Sequence, residues 1–318
     1  MIKKVDKNTS FSETKVFEYN GKTMDFRLPR VMGIVNVTPD SFYDWTVGRF
    51  GDLTIGRLDD LAVGRFGDLA VGRFGDLAVG RFGDLMGRVK EMADSGAYII
   101  DIGAVSTRPG APEVSVEEEK SRLLPVLKEV RKSFPEIIIS IDTYRSEIAE
   151  IAAGEGADMI NDISGGMFDP LMLSCIIKLK IPYIIMHIQG TPATMQQNPT
   201  YADVVMEVKD FLLGQVRRLE SAGHHKIIID PGFGFGKTVE HNYQILSHLD
   251  EFVDTGYPVL AGLSRKSMIN KVLGTKPAEA LNGTTVLNTI ALMKGASILR
   301  VHDVKEATET VKLFIKAI

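Results

Sequence analysis

Asp142 closes the run "IIISID", Asn161 closes "DMIN" and Asp230 closes "KIIID". An ionised aspartate only accepts hydrogen bonds, so two carboxylates and an amide gathered in one place would pair with a planar heterocycle rich in N–H donors. Arg265, Lys266, Arg300 and His302 follow the last two aliphatic runs. Cations grouped there would hold an anion. The chemistry these types suggest is capture of a polar heterocycle that carries an anionic group, and charge alone takes the reading no further. Other runs end the same way, in Asn36, Asp101, Asp162 and His187. One aspartate after a strand is often only a helix N-cap. A polar residue at the end of every run points instead to a shared functional face.

Several other patterns invite chemistry and fail on inspection. "GFGFGKT", Gly232–Thr238, is similar to a phosphate-binding Walker loop, but Pro231 stands where that loop needs its first glycine. Lys266 has the position of a Schiff-base lysine on a late barrel strand. His224, His225, His241 and His248 lack metal-ligand spacing and are expected at the surface. Cys175, the one cysteine, lies in the apolar pattern "LMLSCIIKL" and is expected to be a buried structural thiol.

The elements that must position these residues are short apolar runs alternating with amphipathic segments. Runs at Val31–Val35, Tyr98–Ile102, Ile137–Ile141, Met159–Asn161, Tyr183–Met186, Lys226–Ile229, Pro258–Ala261 and Ile298–Val301 lack alternation, as expected of parallel strands buried on both faces. Helices are predicted over Val116–Ser133, Ser146–Gly154, Ala202–Ala222 and Val304–Ile318. Eight strands each followed by a helix make an α/β fold of the (β/α)8 barrel type, whose strand ends converge on one catalytic face. A doubly wound open sheet is the rival. Residues 1–27 read as a tail and a hairpin that could close the barrel bottom, and residues 28–318 as the barrel.

The chain has 318 residues, 44% hydrophobic and 25% charged, with a formal net charge of −4. That balance argues against binding nucleic acid through bulk charge. No apolar stretch reaches the ~18 residues of a membrane span, and the first residues do not read as a secretory signal. A cytoplasmic enzyme acting on small molecules is the expectation.

In order along the chain, "MGIVNVTPDSF", "DIGAVSTRPGA", "SIDTY", "NDISGG", "DPGFGFGKT", "GLSRKSM" and "RVHDV" resemble dihydropteroate synthase. The resemblance implies a barrel that joins 6-hydroxymethyl-7,8-dihydropterin pyrophosphate to p-aminobenzoate, releasing pyrophosphate and 7,8-dihydropteroate. It implies a pterin pocket of Asp142, Asn161, Met186, Asp230 and Lys266. The aminobenzoate pocket would take Phe42, Thr107, Pro109, Phe235 and Ser267. Asn36, Arg108, Arg300 and His302 would meet the pyrophosphate, with Mg2+ as cofactor near Asn36. Asp142, Asp230, Lys266, Thr107 and Arg108 would carry the catalysis, and a homodimer is expected. The chain departs from the family's Gly-Gly-Glu before the Ser-Thr-Arg-Pro-Gly loop, with Gly103, Ala104 and Val105 in its place. A methyl-folate-binding methyltransferase on the same barrel is an alternative, but it has no need of the "STRPG" and "SRKS" segments. A catalytically inactive pterin-binding protein is another, though no strand-end residue is lost.

Between the first two runs stand five consecutive octads, Thr46–Leu85, three of them reading "AVGRFGDL". An eight-residue unit matches none of the common solenoid periods, and the barrel is complete without it. The tandem reads as an insertion in the first strand-to-helix loop. Two glycines in eight argue against a stable helix there. The alternatives are a tolerated duplication, a reshaped aminobenzoate pocket with altered sulfonamide sensitivity, an insertion that impairs catalysis, and an engineered or damaged origin.

Overall fold

The computed structural model describes residues 15–37, 69–106 and 113–318, with residues 69–81 described as backbone only. It opens with an antiparallel hairpin of β1 (Val16–Tyr19) and β2 (Lys22–Asp25). Asn20 and Gly21 turn it at φ 49° and 73°, the positive pair a tight hairpin favours.

Eight parallel strands follow: β3 (Arg30–Asn36), β4 (Ile99–Gly103), β5 (Ile138–Asp142), β6 (Met159–Asp162), β7 (Tyr183–Met186), β8 (Ile227–Asp230), β9 (Leu260–Ala261) and β10 (Ile298–Val301). Their order is β8-β7-β6-β5-β4-β3-β10-β9, and a parallel bridge from Ile229 to Val259 joins the two edges. The helices are α1 (Leu69–Asp94), α2 (Val116–Ser133), α3 (Ser146–Gly154), α4 (Met172–Leu179), α5 (Val204–Glu220), α6 (Val239–Ser247), α7 (Asp250–Val253), α8 (Ser267–Leu273), α9 (Leu281–Met293) and α10 (Val304–Ala317). This is the (β/α)8 barrel, ringed by helices. No described helix is long and apolar enough to cross a membrane.

The apolar core has two parts. The larger lies between the strands and the helices. The smaller fills the lower barrel with Met32, Ile99, Ile138, Met159, Ile184, Ile228, Leu260 and Ile298, packed with Phe17, Met24 and Phe26 of the hairpin segment. The hairpin therefore plugs the bottom. Buried Asp158 bolts it there, accepting from Lys22 Nζ (3.0 Å), from Arg131 and from the Ile139 amide (2.9 Å). Side chains along a strand alternate between faces. Two residues above this apolar layer, the same face carries Asp101, Ser140, Asn161, Met186, Asp230 and Arg300.

Helix α1 corrects one expectation. It takes in the last two octads, Ala70–Leu85, despite their glycines. Leu85, Val89 and Met92, spaced by four and three, are buried. Phe82, one turn before Leu85 in the last octad, is exposed. Each glycine costs about 1 kcal/mol in a helix, and the burial of Leu85, Val89 and Met92 at the C-terminal half of α1 opposes such propensity terms. Of the insertion read into residues 46–85, residues 46–68 lie outside the described residues.

Candidate active site

The strand register sets the site. Asn36 pairs with Gly103, Gly103 with Asp142 and Asp142 with Asn161, while Met186 pairs with Asp230 across the ring. Gly103 leaves room for its neighbour: a Cβ there would lie 3.2 Å from the Asp142 Cβ. Arg300 reaches inward from β10. Its Nε donates to Asp101 Oδ2 at 2.7 Å and its Nη2 to Asp142 Oδ2 at 2.6 Å. Asn161 Nδ2 donates to the same Asp101 oxygen at 3.0 Å. Asp101, wholly buried, thus orients two of the expected site residues.

On the far side, Asp230 Oδ1 accepts from the Gly232 amide at 2.7 Å. Lys266 donates to the Phe233 carbonyl and holds its ammonium 4.7 Å from the Phe235 ring centroid. His302 Nδ1 lies 3.0 Å from Ser264 Oγ. Arg265, at φ 57°, pairs with Asp303. Ser267 is exposed at the first residue of α8. Phe42, Thr107, Arg108 and Pro109 lie outside the described residues.

Crowded charges shift one another here. Burial, reinforced by the Asp101 and Asp162 carboxylates and opposed by Arg300, pushes Asp142 up to about 7. Burial also raises Asp230, against Lys266. Lys266 is pushed down to about 8 by burial, with Asp230 opposing and Arg300 assisting. His302 falls to about 4 through burial and then the nearby Arg265 and Arg300. Asp230 acts on Arg300, and Arg300 on Lys266, so the two sides form one electrostatic unit. Such a mouth brings carboxylate and amide acceptors together with the Arg300 and Lys266 cations.

The profile of the family described as Pterin binding enzyme matches residues 75–302. The dihydropteroate synthase of Escherichia coli is 41% identical over 298 residues, covering 92% of this chain and 93% of that protein. That of Haemophilus influenzae is 43% identical over 93% of this chain and 96% of its own. The chain belongs to the dihydropteroate synthase family. Among solved structures, a Yersinia pestis dihydropteroate synthase in complex with a sulfonamide drug superposes with a TM-score of 0.79 at 36% identity, covering 95% of this chain and 98% of that one. A Xanthomonas albilineans dihydropteroate synthase with 4-aminobenzoic acid gives 0.78 at 34%, with the same coverage.

Not every polar strand end belongs to the mouth. Asp162 is spent on the Ser164 and Gly166 amides, the Ser164 hydroxyl and the Tyr183 hydroxyl. His187 contacts Lys237 rather than facing the lumen. His224, expected at the surface, is 4% exposed, and burial pushes it down to about 4. It sits where the chain leaves α5 for β8, a packed connection that its loop-like sequence conceals. Cys175 is half-buried, its Sγ 3.5 Å from the Ser146 carbonyl, and burial raises its thiol. The sequence motifs assign Asp101 no place in the pterin pocket. Its signal was there, a carboxylate among isoleucines in "YIIDIG".

Proposed function

We propose that this chain condenses 6-hydroxymethyl-7,8-dihydropterin pyrophosphate with p-aminobenzoate, giving 7,8-dihydropteroate and pyrophosphate. The observation that carries the reading is the inward set of Asp142, Asn161 and Asp230, with Asp142 bonded to Arg300, Asn161 joined to Arg300 through Asp101, and Lys266 beside Asp230. Asp142, Asn161 and Asp230 accept from the pterin N–H edge, Lys266 donates to an acceptor atom of the pterin, and Met186 packs on the ring. Arg300 and His302, with Asn36 and Arg108, face the pyrophosphate. Phe235, Ser267, Phe42, Thr107 and Pro109 form the aminobenzoate side.

The carbon–oxygen bond at the pterin methylene breaks as the pyrophosphate leaves with its electron pair. Asp142 and Asp230 stabilise the cationic character that spreads into the ring. The neutral aromatic amine forms the new carbon–nitrogen bond and loses its proton to pyrophosphate or solvent, so no strong base is required. Thr107 and Arg108 keep water from the cation.

Among the described residues no group of three or more His, Cys, Asp or Glu could cage a metal. The Asn36 amide oxygen suits Mg2+, an ion usually held by few protein oxygens and by substrate phosphates. When bound, it supplies charge neutralisation on the leaving pyrophosphate.

The homodimer reading is supported by α9. Val286, Ile290 and Met293, spaced by four and three, are 49%, 37% and 65% exposed and line one face. An apolar stripe of this kind fits a second copy of the chain.

Pyrophosphate release by the purified protein, with and without p-aminobenzoate, tests the function. Release that depends on p-aminobenzoate and yields dihydropteroate is expected. Pterin binding without coupling would favour an inactive binding protein. Deleting Thr46–Leu69 then addresses the octads: unchanged sulfonamide inhibition with intact turnover marks a tolerated duplication, and a changed inhibition marks a reshaped pocket.

A further inference from the structure

The loop from β8 to α6 is built from glycines and held by side chains. Gly232, Gly234 and Gly236 take φ of 71°, 83° and 62°, so no regular ladder forms. Its carbonyls are received one after another. Lys237 Nζ donates to Gly232 O and to Phe235 O, each at 3.0 Å. Lys266 takes Phe233 O, Gln196 Nε2 takes Gly234 O at 2.7 Å, and the Tyr201 hydroxyl takes Gly236 O at 2.7 Å. Asn242 Nδ2 reaches Lys237 O at 3.4 Å.

Of these donors, Lys237 alone belongs to the loop itself. It also crosses to the end of β7, meeting His187 Nδ1 at 3.0 Å and His187 O at 3.3 Å. The two loops touch at the backbone there, since a Cβ on Gly232 would stand 2.0 Å from His187 O. Burial, then Lys237 itself, pushes His187 down to about 3, which leaves its ring neutral and Nδ1 free to accept. A Walker lysine offers its ammonium to a phosphate outside the loop. Lys237 is 3% exposed and turns its ammonium into carbonyls, so it does not touch substrate.

The consequence falls on Phe235. Gly232 keeps its amide bond to Asp230 and its carbonyl bond from the Phe235 amide (3.1 Å) whether or not Lys237 is present. The Phe235 carbonyl rests on Lys237. The half-buried Phe235 ring stands beside the Lys266 ammonium. Asn161 and Arg300 are held separately, by Asp101, and Asp142 by Arg300.

We infer that Lys237 is a positioning residue for the aromatic-amine subsite, fixing Phe235 by tying its carbonyl to the end of the preceding strand. This rests on the reading of Phe235 as part of the aminobenzoate wall. The test is Lys237→Met, which keeps the reach and removes the donors. KM for p-aminobenzoate is expected to rise about tenfold or more, because a displacement of about 1 Å in a positioning group can cost up to about a hundredfold. The affinity for the dihydropterin pyrophosphate, measured by itself, stays within about twofold. An unchanged aminobenzoate KM, or an equal weakening of both substrates, overturns the inference. Should K237M be recovered unfolded, Lys237→Gln carries the same test, since it keeps a polar side chain in the buried site but cannot reproduce the ammonium's bonds to both loops. Tyr201→Phe leaves every Lys237 bond intact and serves as the control. Lys237→Gln, which shortens the reach to the Phe235 carbonyl, is expected to raise the aminobenzoate KM more than Tyr201→Phe does at constant pterin affinity, and an equal or smaller rise overturns the inference. If the unaltered chain shows no aminobenzoate-dependent turnover, the functional reading itself falls and takes this one with it.

Discussion

Asp142 concentrates the chemistry of the site at one carboxyl. It faces Arg300 at 2.6 Å, yet burial and neighbouring carboxylates raise it from 3.8 to about 7. A raised pKa means that the folded, ligand-free protein prefers the neutral carboxyl. Its contribution to stability is complete below pH 3.8 and is lost as pH rises through about 7. A heterocycle donating N–H bonds into the ionised form reverses that preference. Pterin binding is therefore expected to release a proton between about pH 5 and 7 and to weaken as pH falls through that window. Calorimetry in buffers of different ionisation enthalpy measures the release, and a pH-independent affinity would contradict the pairing. Asp142→Asn should abolish the proton release and cost about tenfold to a hundredfold in affinity, the worth of one charged hydrogen bond.

At the scale of elements, α1 shows how a repeat can be absorbed by a helix. Its described buried residues, Leu85, Val89 and Met92, lie at the end of the last octad and beyond it. Removing Ala70–Leu77 leaves those anchors in place, and Ala62–Leu69 then supplies an identical octad ahead of Ala78. Stability is expected to change by about 1 kcal/mol or less, the range of substitutions away from the core. Thermal unfolding of the shortened chain checks this. A larger loss would show that the upstream octads themselves carry packing. The loop after β8 behaves oppositely. Its backbone conformation depends on five separate side-chain donors, so its tolerance to change is small.

The whole molecule separates stability from activity along the barrel axis. The hairpin and its Asp158 bolt sit at the bottom, opposite the polar layer. Asp158→Asn leaves Lys22 and Arg131 without their buried counter-charge. A loss of about 3 kcal/mol is expected, read by urea denaturation, with kcat/KM unchanged. A fall in kcat/KM for the folded variant would mean that the bottom communicates with the mouth. Association should be separable as well. Ile290→Asp places a charge in the α9 stripe and is expected to convert a species of twice the 35.0 kDa chain mass into a monomer, read by light scattering.

Much of this was legible in the chain because strand ends and helix ends are local. The predicted spans Val116–Ser133 and Ser146–Gly154 coincide with α2 and α3, and the run Tyr183–Met186 is β7. Apolar runs, glycine caps and polar strand ends come from neighbours in sequence, so the eight-strand alternation and the family motifs could be read directly. What the sequence left undecided was direction. Asp162 and His187 end their strands as Asp142 and Asp230 do, but only ring closure and the alternation of faces decide which enter the lumen. The union of Asp101 with Arg300, 199 positions apart, exists only once β10 pairs with β3 and β3 with β4. Lys237 read as a failed phosphate loop until β7 and β8 lay side by side. Residue types and order determined the fold and the chemistry on offer. The tertiary structure decided which charges meet, because a buried charge takes its partner from whatever the closed barrel brings within hydrogen-bonding distance.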